Sequence, residues 1–178
     1  MISLKKYYKS FLTALAVSTP LVIGLPYLVS AQSNPGLTMF SGVDRKDILN
    51  YHLDFGGQAG SWDRYRLRIP GKKMTEGASR FFISYPDYYK GKFDIDKIEV
   101  RINGESLALR DINWDKESRI IEIELEEPIL ESKRVELVFS NVKNPRPGGT
   151  YYFQCQVLTP GQVPLRLHLG TWIVSISQ

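Results

Sequence analysis

The chain has 178 residues, of which 43% are hydrophobic and 24% charged, a balance that suits one globular domain with a leader and excludes a disordered, low-complexity protein. Its net charge of +4 owes three units to Lys5, Lys6 and Lys9; without them 23 basic residues become 20 against 19 acidic ones, a net of +1 that does not indicate a nucleic-acid binder. Cys155 is the one cysteine, so no internal disulfide is available and burial must hold the fold together.

The three lysines precede the apolar run Phe11 to Val29, and Val29-Ser30-Ala31 places small residues where a signal peptidase needs them. Residues 1–31 therefore read as a secretory signal peptide cut before Gln32. An uncleaved anchor is the competing reading, but Pro20 and Pro26 weaken the run as a helix, and no stable membrane span is expected after cleavage. No twin arginine is present, which favours export of an unfolded chain, and no cysteine follows the leader to carry lipid. Residues 32–42, with Pro35 and Gly36, read as a linker, and 43–178 as the domain.

In chain order, Asp44 to Tyr51 is compatible with one helical turn capped by Asp44. Tyr51, Leu53 and Phe55 then alternate with polar residues as a strand ending at Gly56-Gly57. Arg64 to Ile69 alternates most cleanly, three arginines on one face and Tyr65, Leu67 and Ile69 on the other, before Pro70-Gly71. Arg80 to Tyr85 is an aromatic strand ending at Pro86, and Pro86 to Phe93 a loop. Lys97 to Asn103 forms a strand, Asn103-Gly104 a hairpin turn, and Leu107 and Leu109 continue beyond it. Trp114 to Ser118 reads as a turn, Arg119 to Leu125 as a strand with Glu122, Glu124 and Glu126 outward, and Pro128 as its end.

Arg134 to Gly161 is the organising stretch: a strand with Val135, Leu137 and Phe139 inward, the rigid turn Asn144-Pro145-Arg146-Pro147-Gly148-Gly149, and a strand with Tyr151, Phe153, Cys155 and Val157 inward. Leu165, Leu167 and Leu169 alternate next, and the phase slips at Gly170-Thr171 before Trp172, Val174 and Ile176, which marks a β-bulge. Eight or nine short strands without a convincing amphipathic helix predict an all-β antiparallel β-sandwich with immunoglobulin-like Greek-key order, a barrel being the alternative.

The central stretch resembles a cyanobacterial group, the domain of unknown function 2808 family. The likeness is carried by Val135 to Phe139, Asn144-Pro145, Gly148 to Phe153, Pro160-Gly161 and Leu169-Gly170-Thr171-Trp172, with Tyr65 to Pro70, Ala78 to Tyr85 and Phe93 to Ile98 upstream. It implies a cyanobacterial source and a place in the envelope or a lumen, so that periplasm, cell exterior and thylakoid lumen are the expected compartments. It transfers no activity, cofactor or partner.

Catalytic chemistry has few candidates. His52 and His168 fall on polar strand faces, Cys155 alternates with bulky residues in mid-strand, and no nucleophile-elbow motif exists, so no enzyme and no cofactor are expected. Asp87, Asp94 and Asp96 lie in or beside one loop and could hold calcium, or be solvated carboxylates. Tyr85, Tyr88, Tyr89 and Phe93, with Trp62 or Trp114, could form an aromatic platform for a sugar ring or partner protein, or cap the core. Arg64, Arg66 and Arg68 could meet an anionic polysaccharide or lipid headgroup, or pair across strands with the glutamate row. The expected function is a non-enzymatic structural or interaction module with an envelope protein or glycan as partner. A carbohydrate- or calcium-binding accessory module is the alternative.

Overall fold

Period-two alternation of apolar and polar side chains translates into two facing sheets. The computed structural model describes residues 42–130 and 132–178. The expected leader, and the expected linker apart from Gly42, lie outside them. A 3-10 turn at Arg45–Asp47 leads into β1 (Ile48–Leu49), β2 (Tyr51–Leu53), β3 (Trp62–Ile69), β4 (Ala78–Ser84), β5 (Ile98–Ile102) and β6 (Glu105–Ser106). These are followed by β7 (Leu109–Asp115), β8 (Ile120–Ile129), β9 (Val135–Lys143), β10 (Gly149–Leu158) and β11 (Arg166–Ile176).

One sheet has the order β1-β11-β10-β4-β8-β7 and the other β2-β3-β9-β5-β6. Pairing is antiparallel except between β1 and β11. Each sheet keeps two edges, so the architecture is an open sandwich and not a closed barrel. The order is of Greek-key type, since β4 sits between β10 and β8 while β9 sits between β3 and β5.

The core lies between the sheets. Phe81, Ile83, Ile121, Ile123, Phe153, Cys155, Trp172 and Val174 face Tyr65, Leu67, Ile69, Val100, Leu137 and Phe139, all buried. Burial of each large side chain stabilises by roughly 1.5–3 kcal/mol, so the core rather than any cross-link holds the sheets together. Trp172 also ties them directly, its indole donating to the Arg68 carbonyl at 3.2 Å.

The two strands of the organising stretch are not a hairpin. β9 belongs to the five-stranded sheet and β10 to the six-stranded one, so the Asn144 to Gly148 turn carries the chain across the sandwich. A side chain holds this crossing. Asn144, 2% exposed, accepts the Tyr65 hydroxyl at 2.5 Å, donates to the Gln58 carbonyl at 2.8 Å, and its amide donates to the Ser61 carbonyl at 2.9 Å. Tyr65 reaches on to the Tyr89 hydroxyl at 3.2 Å. The buried Asp63 carboxylate holds the adjoining β2–β3 loop by accepting the amides of Phe55, Gly57 and Arg64.

The bulge expected at Gly170 is present, because Cys155 pairs with Gly170 but Gln156 with His168. Gly170 has φ +149, and a Cβ there would collide with the Asp47 carbonyl. Close docking of the parallel strand β1 thus depends on glycine. Asn103 and Gly104 have φ 52 and 89, as a two-residue hairpin turn requires.

Several expectations fail for tertiary reasons. Trp114 and Asp115 are strand residues at the end of β7, paired with Ile121 and Ile120, and the turn lies beyond them. Pro128 does not end β8, which runs to Ile129. The proline sits within a register irregularity, where Ala78 pairs with Ile129 and Arg80 with Glu124, so its missing donor breaks no regular ladder. Leu109 does not continue the hairpin but begins β7 in the other sheet, and both Phe55 and Leu165 lie outside strands and exposed. Asn141, at φ 57, accommodates an unexpected bulge in β9, where Asp63 pairs with Val142 and Tyr65 with Phe139.

Charge on the outer faces is paired across strands. Arg66 binds Asp54 at 2.8 Å and Glu136 at 3.3 Å, and Arg68 binds Glu136 at 3.0 Å. The partners of the arginine stripe are therefore Asp54 and Glu136. Glu122 and Glu124 belong to the other sheet and take Arg80, with Arg110 also on Glu124. Hydrogen bonds from Arg66, Ser106 and Arg80 hold the carboxyls of Asp54, Glu99 and Glu124, respectively, below their ordinary values of 3.8, 4.5 and 4.5.

Two outcomes follow for stability. Asn144→Ala should lower the unfolding free energy by about 1–3 kcal/mol, because it strips partners from buried polar groups. Urea denaturation measures this, and a midpoint within error of the parent would contradict the anchoring role. The depressed carboxyls bind fewer protons folded than unfolded near their ordinary values, so their stabilisation is full above those values and is lost as pH falls through the folded ones. The urea midpoint should be flat from about pH 7 to 5.5 and decline below about pH 4.5, less steeply in Arg66→Met.

Candidate functional site

At the end of the sandwich where β4 finishes, the chain crosses between sheets through residues 85–97. Tyr85 extends the β4 ladder, its amide donating to the Arg119 carbonyl at 3.2 Å. Pro86 then forces a turn closed by the Tyr89 amide on the Pro86 carbonyl at 3.0 Å. Lys92 and Lys143 form an isolated antiparallel bridge, exchanging amide–carbonyl bonds at 2.9 Å in both directions, which ties the loop to the end of β9.

Interlocked rings support this crossing. Tyr89 stacks on Phe93 at 5.4 Å between centroids and meets Phe153 edge-on at 5.0 Å, while Phe93 meets Trp114 edge-on at 5.4 Å. The Trp114 indole donates to the Tyr85 hydroxyl at 2.8 Å. Burial pushes the phenols of Tyr65 and Tyr89 above the ordinary value of 10.0, so both remain neutral donors and acceptors across the physiological range.

Of the four residues expected to form an aromatic platform, Tyr85, Tyr89 and Phe93 are therefore buried at the end of the core. Tyr88 is 51% exposed and stacks on Tyr151 at 5.6 Å. Trp62, 54% exposed, lies at the start of β3 with the Lys143 ammonium 5.0 Å from its ring centroid. Trp114 is part-buried with the Lys116 ammonium 4.6 Å over its ring.

Between residues 85–93 and the β7–β8 turn lies an open cleft of about 610 Å³, with Tyr85, Tyr89, Phe93 and Trp114 as its floor. Lys90, Lys92, Lys116 and Arg119 rim it, with Asp87 the one carboxylate among the lining residues. A Cβ on Gly91, which also lines the cleft, would collide with the Tyr89 ring. Lys116 and Arg119 belong to a turn remote in sequence from Lys90 and Lys92, so no local pattern announced the rim. The available signal was the Lys90-Gly91-Lys92 triplet beside an aromatic loop.

The candidate metal ligands are not drawn together. Asp87 lines the cleft, Asp94 accepts the Asn141 amide at 2.8 Å, and Asp96 flanks a different depression beside Ile95 and Arg110. Among the described residues no group of three or more His, Cys, Asp or Glu side chains is placed to hold a metal ion. Cys155 is fully buried and desolvation pushes its thiol up, away from nucleophilic use. His52 sits on the surface 3.8 Å from Asp54, and His168 is also exposed. No helix among the described residues is long and apolar enough to cross a membrane.

No curated protein matches the chain. Similar solved structures include BslA, a bacterial hydrophobin, at 16% identity over 72% of this chain and 92% of that one, with a TM-score of 0.48. An uncharacterized protein from Nocardia farcinica with an immunoglobulin-like fold is similar at 8% identity over 74% and 99% of the two chains, TM-score 0.44. The collagen-binding domain of a Staphylococcus aureus adhesin is similar at 9% identity over 73% and 97%, TM-score 0.42. The sequence also matches a family across residues 37–176, so the strands and crossings described above are its shared domain, and the chain belongs to the family described as Protein of unknown function (DUF2808).

Proposed function

We propose that this domain is a non-enzymatic binding module, exported by its leader, that engages a partner of the cell exterior in the cleft between residues 85–93 and the β7–β8 turn. The observation that carries the reading is the combination of a rigid ring-lined floor with cationic side chains at its rim. Rings already locked by their neighbours lose little freedom on binding, and a cleft of this volume falls in the range of about 300–1,000 Å³ common for small-ligand sites. The part-buried Trp114 and the other rings that line the cleft offer apolar contact, while the ammonium and guanidinium groups orient a polar partner. Export is supported by the charged, apolar and small-residue segments of the N-terminus.

Three tryptophans provide the test, because their indole resonances are separable by magnetic resonance. With a panel of soluble neutral and acidic glycans, the Trp114 indole and the amides of residues 85–93 should shift. The Trp172 indole, buried against Arg68, should stay in place. Shifts confined to Trp62 or to the opposite end of the sandwich, or no shifts with any glycan, would contradict a binding role for the cleft.

A further inference from the structure

Resting on the binding role just proposed, we infer that the ligand of this cleft is an acidic polysaccharide, a chain of sugars carrying carboxylates. The argument begins with how the protein deploys charge. On the sheet faces, Arg64, Arg66, Arg68, Arg80, Arg101 and Arg110 all have carboxylate partners. Among the described residues, none of Lys90, Lys92, Lys116 and Arg119 forms an ion pair with a carboxylate, although all four rim one cleft.

The Lys92–Lys143 bridge is the second observation. It places two lysines directly opposite one another across a hydrogen-bonded pair, and like charges in that relation destabilise a sheet. The bridge thereby sets a fifth cation, Lys143, beside the four of the rim, of which Lys92 is one. Lys143 gains the Trp62 ring in return, whereas Lys92 gains no carboxylate partner among the described residues, as expected where a charge serves a ligand. Lys143 lies next to the cleft rather than in its lining and leans over Trp62, extending the cationic strip along the end of the sandwich.

The residue types then select the ligand. Three of the four rim cations are lysines, compact charges on flexible stems, which suit carboxylates repeated at variable spacing better than one phosphate fixed in a fork. Cations alone would serve any polyanion. The floor, where Trp114 is the least buried ring, adds an apolar surface against which the C–H groups of a sugar ring can pack, groups that the carboxylates of an acidic peptide do not offer. Asp87 at the margin disfavours a carboxylate immediately beside it and leaves room for a neutral hydroxyl.

Alginate, dextran and poly-glutamate serve as probes of the full protein by calorimetry. Alginate, a polyuronate, should bind, and raising the salt from about 0.05 to 0.5 M should weaken it more than about tenfold. Dextran should not bind. Lys92→Gln and Lys143→Gln should each weaken alginate binding by about threefold or more, and Lys92→Gln, which relieves the like-charge pair and gives up no ring contact, should leave the urea midpoint unchanged or raised. Lys72→Gln, in the 3-10 turn Gly71–Lys73 outside this cleft, should change neither. Poly-glutamate binding as tight as alginate would overturn the saccharide assignment. Dextran binding at the Trp114 indole without alginate binding would overturn the acidic character yet preserve the binding role. A failure of every glycan to bind would remove both.

Discussion

The hydrogen bond from Tyr65 to Asn144 is the constraint on which this sandwich depends. Asn144 stands where the chain leaves one sheet for the other, with its side chain buried away from the surface. A polar side chain buried there would be costly without partners, yet it finds Tyr65 from β3 and the carbonyl of Gln58 from the neighbouring loop. One residue thereby sets the spacing between a crossing and a loop and strand that lie far from it in sequence. The prolines that follow stiffen the crossing, but the amide decides where it is pinned.

The same network shapes the cleft. Tyr65 touches Tyr89, Tyr89 packs on Phe93 and Phe153, and Phe93 on Trp114, so the floor is continuous with the core. A change at Asn144 would thus be transmitted to the ring array through packed contacts. The floor of the cleft is thus built from core residues, while its rim comes from the loop at 85–93 and the β7–β8 turn.

Charge is partitioned between two tasks. Most arginines on the sheet faces lie flanked by carboxylates, as Arg66 does between Asp54 and Glu136, while Arg166 instead donates to Gln156 and covers the Phe82 ring. Such exposed pairs contribute little individually, and their main effect is to satisfy long side chains that would otherwise cover the sheet without partners. The lysines at the end of the sandwich are disposed differently, in loops and at the bridge with β9, and among the described residues Lys90, Lys92 and Lys143 have no carboxylate counterpart.

The sequence by itself determined the all-β class, the inward sets of β3, β8, β9 and β10, the Asn103-Gly104 turn and the bulge at Gly170, because period-two burial and backbone restrictions act over a few residues. Tertiary structure decided the rest. That β9 and β10 lie in opposite sheets, that Trp114 is a strand residue, and that Pro128 is tolerated within β8 all depend on which strands become neighbours, and alternation is blind to pairing. Aromatic residues of the loop were legible, but whether they faced solvent or core was not, since a ring at a loop tip and a ring closing a core share one composition. The cationic rim was hidden for the same reason: Lys92, Lys116 and Lys143 become neighbours of one site only when two crossings bring three distant segments to the same end of the sandwich.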